Sequence, residues 1–471
     1  MLFNSLVFLF VFLPSILILY YTLPKKSKNL LLLVFSIVFY SWGGVSYTAI
    51  LIFSILMNFM FVKILEKSDH RKKAWLVSGL VFNVFVIFIF KYLDFFIENV
   101  NEVGLFFDGS FNAIPKANIL LPLGISFFTF QQMSLLWDVY RNPEMERVKL
   151  IDTALYISLF PQLIAGPIVR YNDIISQIRN RVESVSIVRS GIQRFILGLF
   201  KKVIIANGCA TIADSILDND IGNINTPIAW LGIIAYAFQI YFDFSGYSDM
   251  AIGLGRMFGL RILENFNFPY ISRSIKEFWR RWHISLSTWF RDYVYIPMGG
   301  NRNGPHKTYF NLLIVFLLTG FWHGATWSFV VWGVYHGVFL IIERLGFEKI
   351  LKRIPKPISW SYAMLVVLIG WVFFRIENIS DAINYVGRLF GQGTYSEQSF
   401  IHYLDRERLY ILILAALASS TFFLRMKNIT LSFGGTKLKV TFSLLKDVVL
   451  VLMLLYSILH INSGSYNPFI Y

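Results

Sequence analysis

The chain has 471 residues, of which 56% are apolar and 18% aromatic while only 15% are charged. Its apolar residues come in long blocks, not in amphipathic alternation, which marks an integral membrane protein and excludes a soluble domain. The net charge of +15 would suggest nucleic acid in a soluble protein. Here Lys and Arg cluster in short segments between apolar blocks, so they report orientation in the bilayer and no nucleic-acid partner is expected. One cysteine, Cys209, excludes an internal disulfide and offers no thiolate cluster for zinc or iron–sulfur, so no metal is expected.

The first apolar run, Leu2 to Tyr21, has no basic leader and no small-residue cleavage site, and Lys25, Lys26 and Lys28 follow it directly. It reads as a retained span with its lysines in the cytoplasm and the N-terminus outside. From Asn29 to Leu65 there is room for two short passes, with Trp42-Gly43-Gly44 as the break and a return to the basic side at Lys67, Arg71, Lys72 and Lys73. Ala74 to Ile97 crosses outward, and a loop bearing Glu98, Glu102 and Asp108 follows.

Ile119 to Tyr140 is interrupted by Pro122 and Gly124 and carries Gln131, Gln132 and Asp138 among aromatics, as expected of a cavity wall. Ser158 to Tyr171, with Pro161, Gly166 and Pro167, is too broken for a simple span. Non-helical backbone at membrane depth is tolerated only where protein or a water-filled recess satisfies it. Residues 170–202 are basic and read as cytoplasmic or interfacial, Asp214, Asp218 and Asp220 mark an external loop, and Pro227 to Leu260 returns inward.

Within that inward span, Asp243 and Asp249 need partners; Asp249 shares a helical face with Arg256, so a structural ion pair is the favoured reading. Gly253 to Gly259, GLGRMFG, lacks the spacing and the preceding strand of a dinucleotide site and predicts close helix packing through Gly255 and Gly259. The basic stretch from Pro269 to Lys307 belongs at the cytoplasmic face. A helix begun at Lys276 puts Trp279, Trp282, Leu286, Trp289 and Phe290 on one stripe, and Lys276, Arg280, Ser287 and Arg291 on the next arc, with His283 at the boundary. Such a helix lies in the headgroup region, either as a plain interfacial helix or as the rim of a phosphate-bearing donor site.

Thr308 to Ile342 has no charged residue and is flanked by basic segments on both sides. It therefore either enters and returns, with His323 near its deepest point, or forms one long tilted helix, since ~35 residues at ~1.5 Å each exceed a ~30 Å hydrocarbon core. An imidazole at that depth is a functional candidate by default; the competing reading is a ring satisfied by a neighbouring carbonyl. On a continuous helix His323 and His336 point in nearly opposite directions, which argues against a shared metal. Spans at Trp360 to Phe374, Leu409 to Leu424 and Leu444 to Ile461 leave residues 461–471 outside, in a single membrane domain over 1–471.

Six segments carry a family signal: LPLGISFFTFQ (Leu121 to Gln131), FPQLIAGPIVRY (Phe160 to Tyr171), YFDFSGYSDMAIGLGRMFG (Tyr241 to Gly259), NFNFPY, FWRRWHISLSTWFRDYVYIPMGGNR (Phe278 to Arg302) and TGFWHGATW around His323. With them the chain resembles the membrane-bound O-acyltransferases, most closely the bacterial branch that acetylates alginate and peptidoglycan. The resemblance implies an all-α bundle of about ten to twelve membrane segments, some re-entrant, around a central tunnel in the bacterial cytoplasmic membrane. It implies transfer of an acyl group, usually acetyl, from a cytoplasmic thioester such as acetyl-CoA toward a polysaccharide outside, with no bound cofactor and with an extracytoplasmic acetyltransferase or esterase-like partner.

In that family the W-H-G histidine, here His323, is the proposed catalytic residue, and the R-R-W-H histidine, here His283, its polar partner. Arg280, Arg281, Trp282, Trp322, Gln131 and Asp249 are expected at the donor site or along the tunnel. Tyr471 in the terminal NPFIY is a candidate acyl carrier, although relatives commonly continue a few residues beyond the equivalent tyrosine; the competing reading is a plain aromatic anchor. Two other functions stay open. One is D-alanyl transfer to teichoic acid on the same fold; the other is a transporter of a lipid-linked sugar, which would need coupling charges that the spans largely lack.

Overall fold

A computed structural model describes the chain apart from residues 69, 143, 145, 219–223, 393–399, 427–435 and 465–471. Asp220 and Tyr471 therefore lie outside the described residues. Among those described there are helices and no strands, as the composition requires. Seven helices are long and apolar enough to cross a membrane, Val45–Lys67, Lys72–Phe107, Val185–Leu217, Thr226–Met257, Trp327–Arg353, Lys356–Arg375 and Ser443–Asn462, joined by the shorter apolar Phe8–Thr22. The protein is a polytopic membrane protein.

The expected break at Trp42-Gly43-Gly44 separates helices Lys28–Ser41 and Val45–Lys67. The outward span is longer than expected. It runs to Phe107, so Glu98 and Glu102 belong to its last turns and only Asp108 starts the loop, because Glu98 can pair with Lys116 across that loop without unwinding the helix. The stretch 170–202, expected to be cytoplasmic or interfacial, in part enters a helix long and apolar enough to span, Val185–Leu217, whose Lys201 and Lys202 reach carboxylates of the next helix, Asp249 at 2.7 Å and Asp243 at 2.5 Å.

Asp249 forms the predicted structural ion pair, but its partners are Arg194 at 2.6 Å and Lys201, while Arg256 lies near Glu264. The reason is the close approach of Val185–Leu217 to Thr226–Met257. A Cβ at Gly198 would lie 2.6 Å from the Gly246 carbonyl, and one at Gly191 2.6 Å from that of Gly253. Two glycine pairs, each seven residues apart, thus bring the backbones together and the charges with them. Gly255 packs instead on Ile262, and Gly259 takes a left-handed turn at φ +72°, which corrects the expected packing through those two glycines.

The Lys202–Asp243 pair is almost wholly enclosed, with side chains 4% and 8% exposed. Removing one member of such a pair leaves a charge in a dry site and costs about 3–5 kcal/mol. Asp243→Asn is expected to lower the midpoint of denaturation in detergent, and a double variant that also replaces Lys202 with Met should recover part of the loss.

The broken segment Ser158 to Tyr171 is satisfied by protein, as its backbone demands. After the one-turn helix Phe160–Leu163, the Phe160 amide donates to Ser36 Oγ (3.1 Å), the Ile168 amide to Ser285 Oγ (3.0 Å), and Tyr156 donates its hydroxyl proton to the Val169 carbonyl (2.9 Å). Against it sits Gly124 at φ +73°, where a Cβ would fall 2.4 Å from the Leu163 carbonyl. Only glycine fits there.

The helix expected from Lys276 is two helices, Ile275–Arg281 and Ile284–Phe290, with His283 between them at φ 43°. Its tryptophans do not lie among headgroups. Trp279, Trp282 and Trp289 are 8%, 4% and 2% exposed; Trp289 stacks on Phe130 at 3.9 Å and donates to its carbonyl at 3.0 Å. The surrounding bundle is aromatic enough to bury the stripe, and that is why it does not seek the interface.

Thr308 to Ile342 is a helical hairpin, not one long helix. Helix Gly304–His323 ends at Gly324, and Trp327–Ile342 returns alongside it. A Cβ at Gly320 would lie 2.3 Å from the Phe329 carbonyl and one at Gly333 2.4 Å from that of Phe316. Ser328 Oγ, contacting the Phe373 and Ile376 carbonyls at 2.8 and 2.7 Å, fixes the start of the returning arm against helix Lys356–Arg375.

Candidate active site

His323 is the last residue of its helix and stands at the tip of the hairpin. Its imidazole meets Trp322, Phe374 and Trp332 at ring-centroid distances of 4.7, 4.9 and 5.1 Å. His336 is on the other arm, behind Trp332, at 5.1 Å from that indole. The two histidines are thus not on one continuous helix, and the indole stands between them.

A cavity of about 530 Å³ reaches His323. Its walls include Lys91 and Asp94, the turn Pro122–Gly124, Trp322, Phe329, Phe374 and Glu377. These belong to one end of the bundle. There the Asp94 carboxylate accepts from the amides of Ala117 (2.7 Å) and Asn118 (3.1 Å), and Arg375 pairs with Asp214 at 3.1 Å and with Asp218. The sequence assigns that acidic end to the outside. Lys28, Glu183, Arg170, Asp292, Lys276 and Glu348 form ion pairs among basic segments at the other end.

A separate small cleft of about 10 Å³ is shared by His323 and His283 and lined by Phe244, Trp282, Trp332 and Phe374. His283 is 3% exposed, and among the described residues neither of its ring nitrogens has a hydrogen-bond partner. Buried polar atoms are nearly always satisfied, and an orphaned imidazole in a strained left-handed backbone is the sort of cost that functional sites carry. The strain is held in place from outside the ring: the Ile284 amide donates to the Asn265 carbonyl (2.9 Å), and Asn265 Oδ1 accepts from the Ser285 amide (3.1 Å) and hydroxyl (2.9 Å).

The predicted residues fall into two groups. His323, His283, Trp282 and Trp322 come together around the cleft and cavity. Arg280 is exposed at the basic end, and Arg281 is occupied by Glu277 at 3.0 Å and the Asn267 carbonyl. Asp249 is bound in its ion pairs, and Gln131 is buried beside Tyr156, its backbone carbonyl accepting from Ser134 and its side-chain oxygen without a partner among the described residues. Neither lines the cavity that holds His323. The residues not anticipated are Lys91, Asp94, Trp332, Phe374 and Glu377. Lys91 had a signal, being the first charge in the apolar run from Ala74.

The opposite side of Trp322 faces an apolar groove of about 560 Å³ between helices Lys72–Phe107 and Gly304–His323, lined by Phe88, Phe96 and Phe321. Trp322 separates that groove from the polar cavity. Among the described residues no group of three or more His, Cys, Asp or Glu is placed to hold a metal ion.

A hairpin thus presents one histidine into a cavity, with a second histidine across a narrow cleft. The membrane-bound O-acyltransferase family matches residues 30–380. The chain belongs to that family and is an O-acyltransferase. It is similar to the "Probable alginate O-acetylase AlgI" of Pseudomonas putida, 41% identical with 100% of this chain and 99% of that protein covered. It is similar also to the "Peptidoglycan O-acetyltransferase" of Helicobacter pylori, at 38% over 83% of this chain and 80% of the relative. The "Teichoic acid D-alanyltransferase" of Bacillus subtilis is 32% identical over 54% of this chain and 67% of its own length.

Proposed function

We propose that the protein, in the bacterial cytoplasmic membrane, moves an acetyl group from a cytoplasmic thioester such as acetyl-CoA to the outside, for O-acetylation of a cell-surface or secreted polysaccharide. His323 is the general base. The acceptor hydroxyl enters the cavity from the acidic end and gives its proton to the imidazole while its oxygen bonds to the thioester carbonyl carbon. The tetrahedral intermediate then collapses, the C–S bond breaks, and the thiolate leaves with the proton from the imidazolium. A positioned base of this kind contributes about 10²–10⁴-fold.

The observation that carries this reading is the placement of His323 at the inner end of a cavity with His283 just beyond it. In this reading the thioester approaches from the basic end, where the exposed Arg280 attracts its phosphates, Arg281 being held by Glu277, and Trp282 and His283 border its reactive end. The cleft has to widen for the acyl group to meet His323. Phe374→Ala, which removes one wall of it, is expected to raise the rate with acyl groups longer than acetyl relative to acetyl; an unchanged chain-length preference would place the acyl group elsewhere.

The acceptor that enters the cavity is either the polysaccharide itself or a carrier for an extracytoplasmic acetyltransferase or esterase-like partner. In the latter case the Tyr471 phenol is the acceptor and holds the acetyl as an ester. Acetyl is favoured over D-alanyl because the acetylating relatives match more of the chain at higher identity. The test is transfer of label from acetyl-CoA by the purified full chain, with alginate oligomers or muropeptides as acceptor and mass spectrometry of the C-terminal peptide. Acetyl on the acceptor or on Tyr471 supports the proposal. Label that stays on CoA, with D-alanyl transferred instead from a charged carrier protein, would replace it.

A further inference from the structure

Helix Lys72–Phe107 widens into a π turn at Phe88–Tyr92, and the two residues that end this turn both reach the tip of the hairpin. The Tyr92 hydroxyl donates to the Phe321 carbonyl, and Lys91 Nζ donates to the carbonyls of Trp322 and, at 3.1 Å, of His323. Three successive carbonyls at the end of the His323 helix are thereby paired. The last carbonyls of a helix lack partners within it and carry partial negative charge, so donors there are expected.

Two features exceed a cap. A neutral hydroxyl is enough for Phe321, whereas an ammonium in a membrane span is costly and retained for a reason. Lys91 has no carboxylate within ion-pair reach among the described residues, since Asp94, three residues on, is taken by the Ala117 and Asn118 amides. Lys91 also lines the cavity that holds His323. An ammonium has three N–H donors; two are used by the carbonyls, and the ammonium, 5.9 Å from the Trp322 ring centroid, also lines the cavity without a third hydrogen bond among the described residues.

We propose that Lys91 is a further residue of the acyl-transfer site, whose ammonium meets the acyl carbonyl oxygen as that oxygen becomes an oxyanion. This rests on the acyl-transfer reading above. When the acceptor oxygen bonds to the carbonyl carbon, the π pair moves onto the carbonyl oxygen. Lys91 opposes that negative charge by a hydrogen bond, forming no covalent bond and losing no proton, and the charge returns to the C=O bond as the thiolate departs. Because the same ammonium holds the backbone of Trp322 and His323, base and oxyanion donor keep one fixed relation.

The test uses the purified full-length chain, labelled acetyl-CoA, and whichever of alginate oligomers and muropeptides the wild type acetylates. Lys91→Met and Lys91→Gln are expected to lower kcat about 10²–10³-fold, the usual loss for one oxyanion donor, with little change in KM for acetyl-CoA. Gln still offers an N–H to the helix end, so a tether alone would leave Lys91→Gln near wild type. Lys91→Cys should be as slow as Met and recover on alkylation with 2-bromoethylamine, which rebuilds an ammonium, but not with iodoacetamide; the native Cys209 is fully buried, away from reagent. Should Lys91→Met fail to fold, the Gln and Cys variants carry the comparison. A Gln variant within threefold of wild type, or alkylated Cys protein that stays slow when mass spectrometry shows it modified, overturns the proposal. A wild type that transfers no acetyl at all overturns the acyl-transfer reading beneath it.

Discussion

His323→Ala is expected to abolish acetylation of the surface polymer in cells and to lower transfer from acetyl-CoA by about 10²–10⁴-fold, while the protein inserts and accumulates as wild type does. The imidazole is surrounded by Trp322, Phe374 and Trp332 and borders the cavity at its edge. The hairpin is held by contacts that do not pass through the ring, including Gly320 against the Phe329 carbonyl and Ser328 against Phe373 and Ile376. Its removal therefore takes away the proposed base and leaves the scaffold. Quantifying ester-linked acetate on the polymer and the chain in the membrane fraction separates the two effects. Wild-type acetate levels in the variant would rule out a base at this position.

Gly320→Ala is expected to be nearly as damaging although it replaces no site residue. Its Cβ would sit 2.3 Å from a backbone carbonyl of the facing arm, a contact that neither partner can relieve by rotating. The arms must separate, and His323, three residues on, moves with them. Overpacking of this kind costs about 1–3 kcal/mol, and a ~1 Å misplacement of a reacting group about 10²-fold in rate. Circular-dichroism melts in detergent should show a lowered midpoint together with that loss of kcat. Full activity with an unchanged melt would mean that the arms do not need their close approach.

How much of this was legible in the sequence differs from element to element. The hairpin was one of two paths left open by an uncharged stretch between basic flanks, and glycines chose between them: Gly320 and Gly333 face carbonyls of the opposite arm, which composition alone does not reveal. His323 was legible because polar groups at membrane depth are rare; Lys91 was missed although the same rule applies to it, and its pairing with backbone carbonyls is a tertiary fact. The tryptophan stripe misled because helical periodicity assumed a helix that breaks at His283. Asp249 was read as paired, correctly, but with a neighbour on its own helix; its partners Arg194 and Lys201 come from a helix brought close by Gly191 and Gly198.

The central claim is that acyl transfer runs through one passage with His323 between its two ends. Full-length protein reconstituted in a uniform orientation into sealed vesicles, with labelled acetyl-CoA confined to the basic face and acceptor to the opposite face, tests this most directly. Labelled acetyl on the acceptor side, absent with His323→Ala, is the expected result. Label that stays on the donor side, or that crosses equally well in the His323→Ala protein, contradicts it.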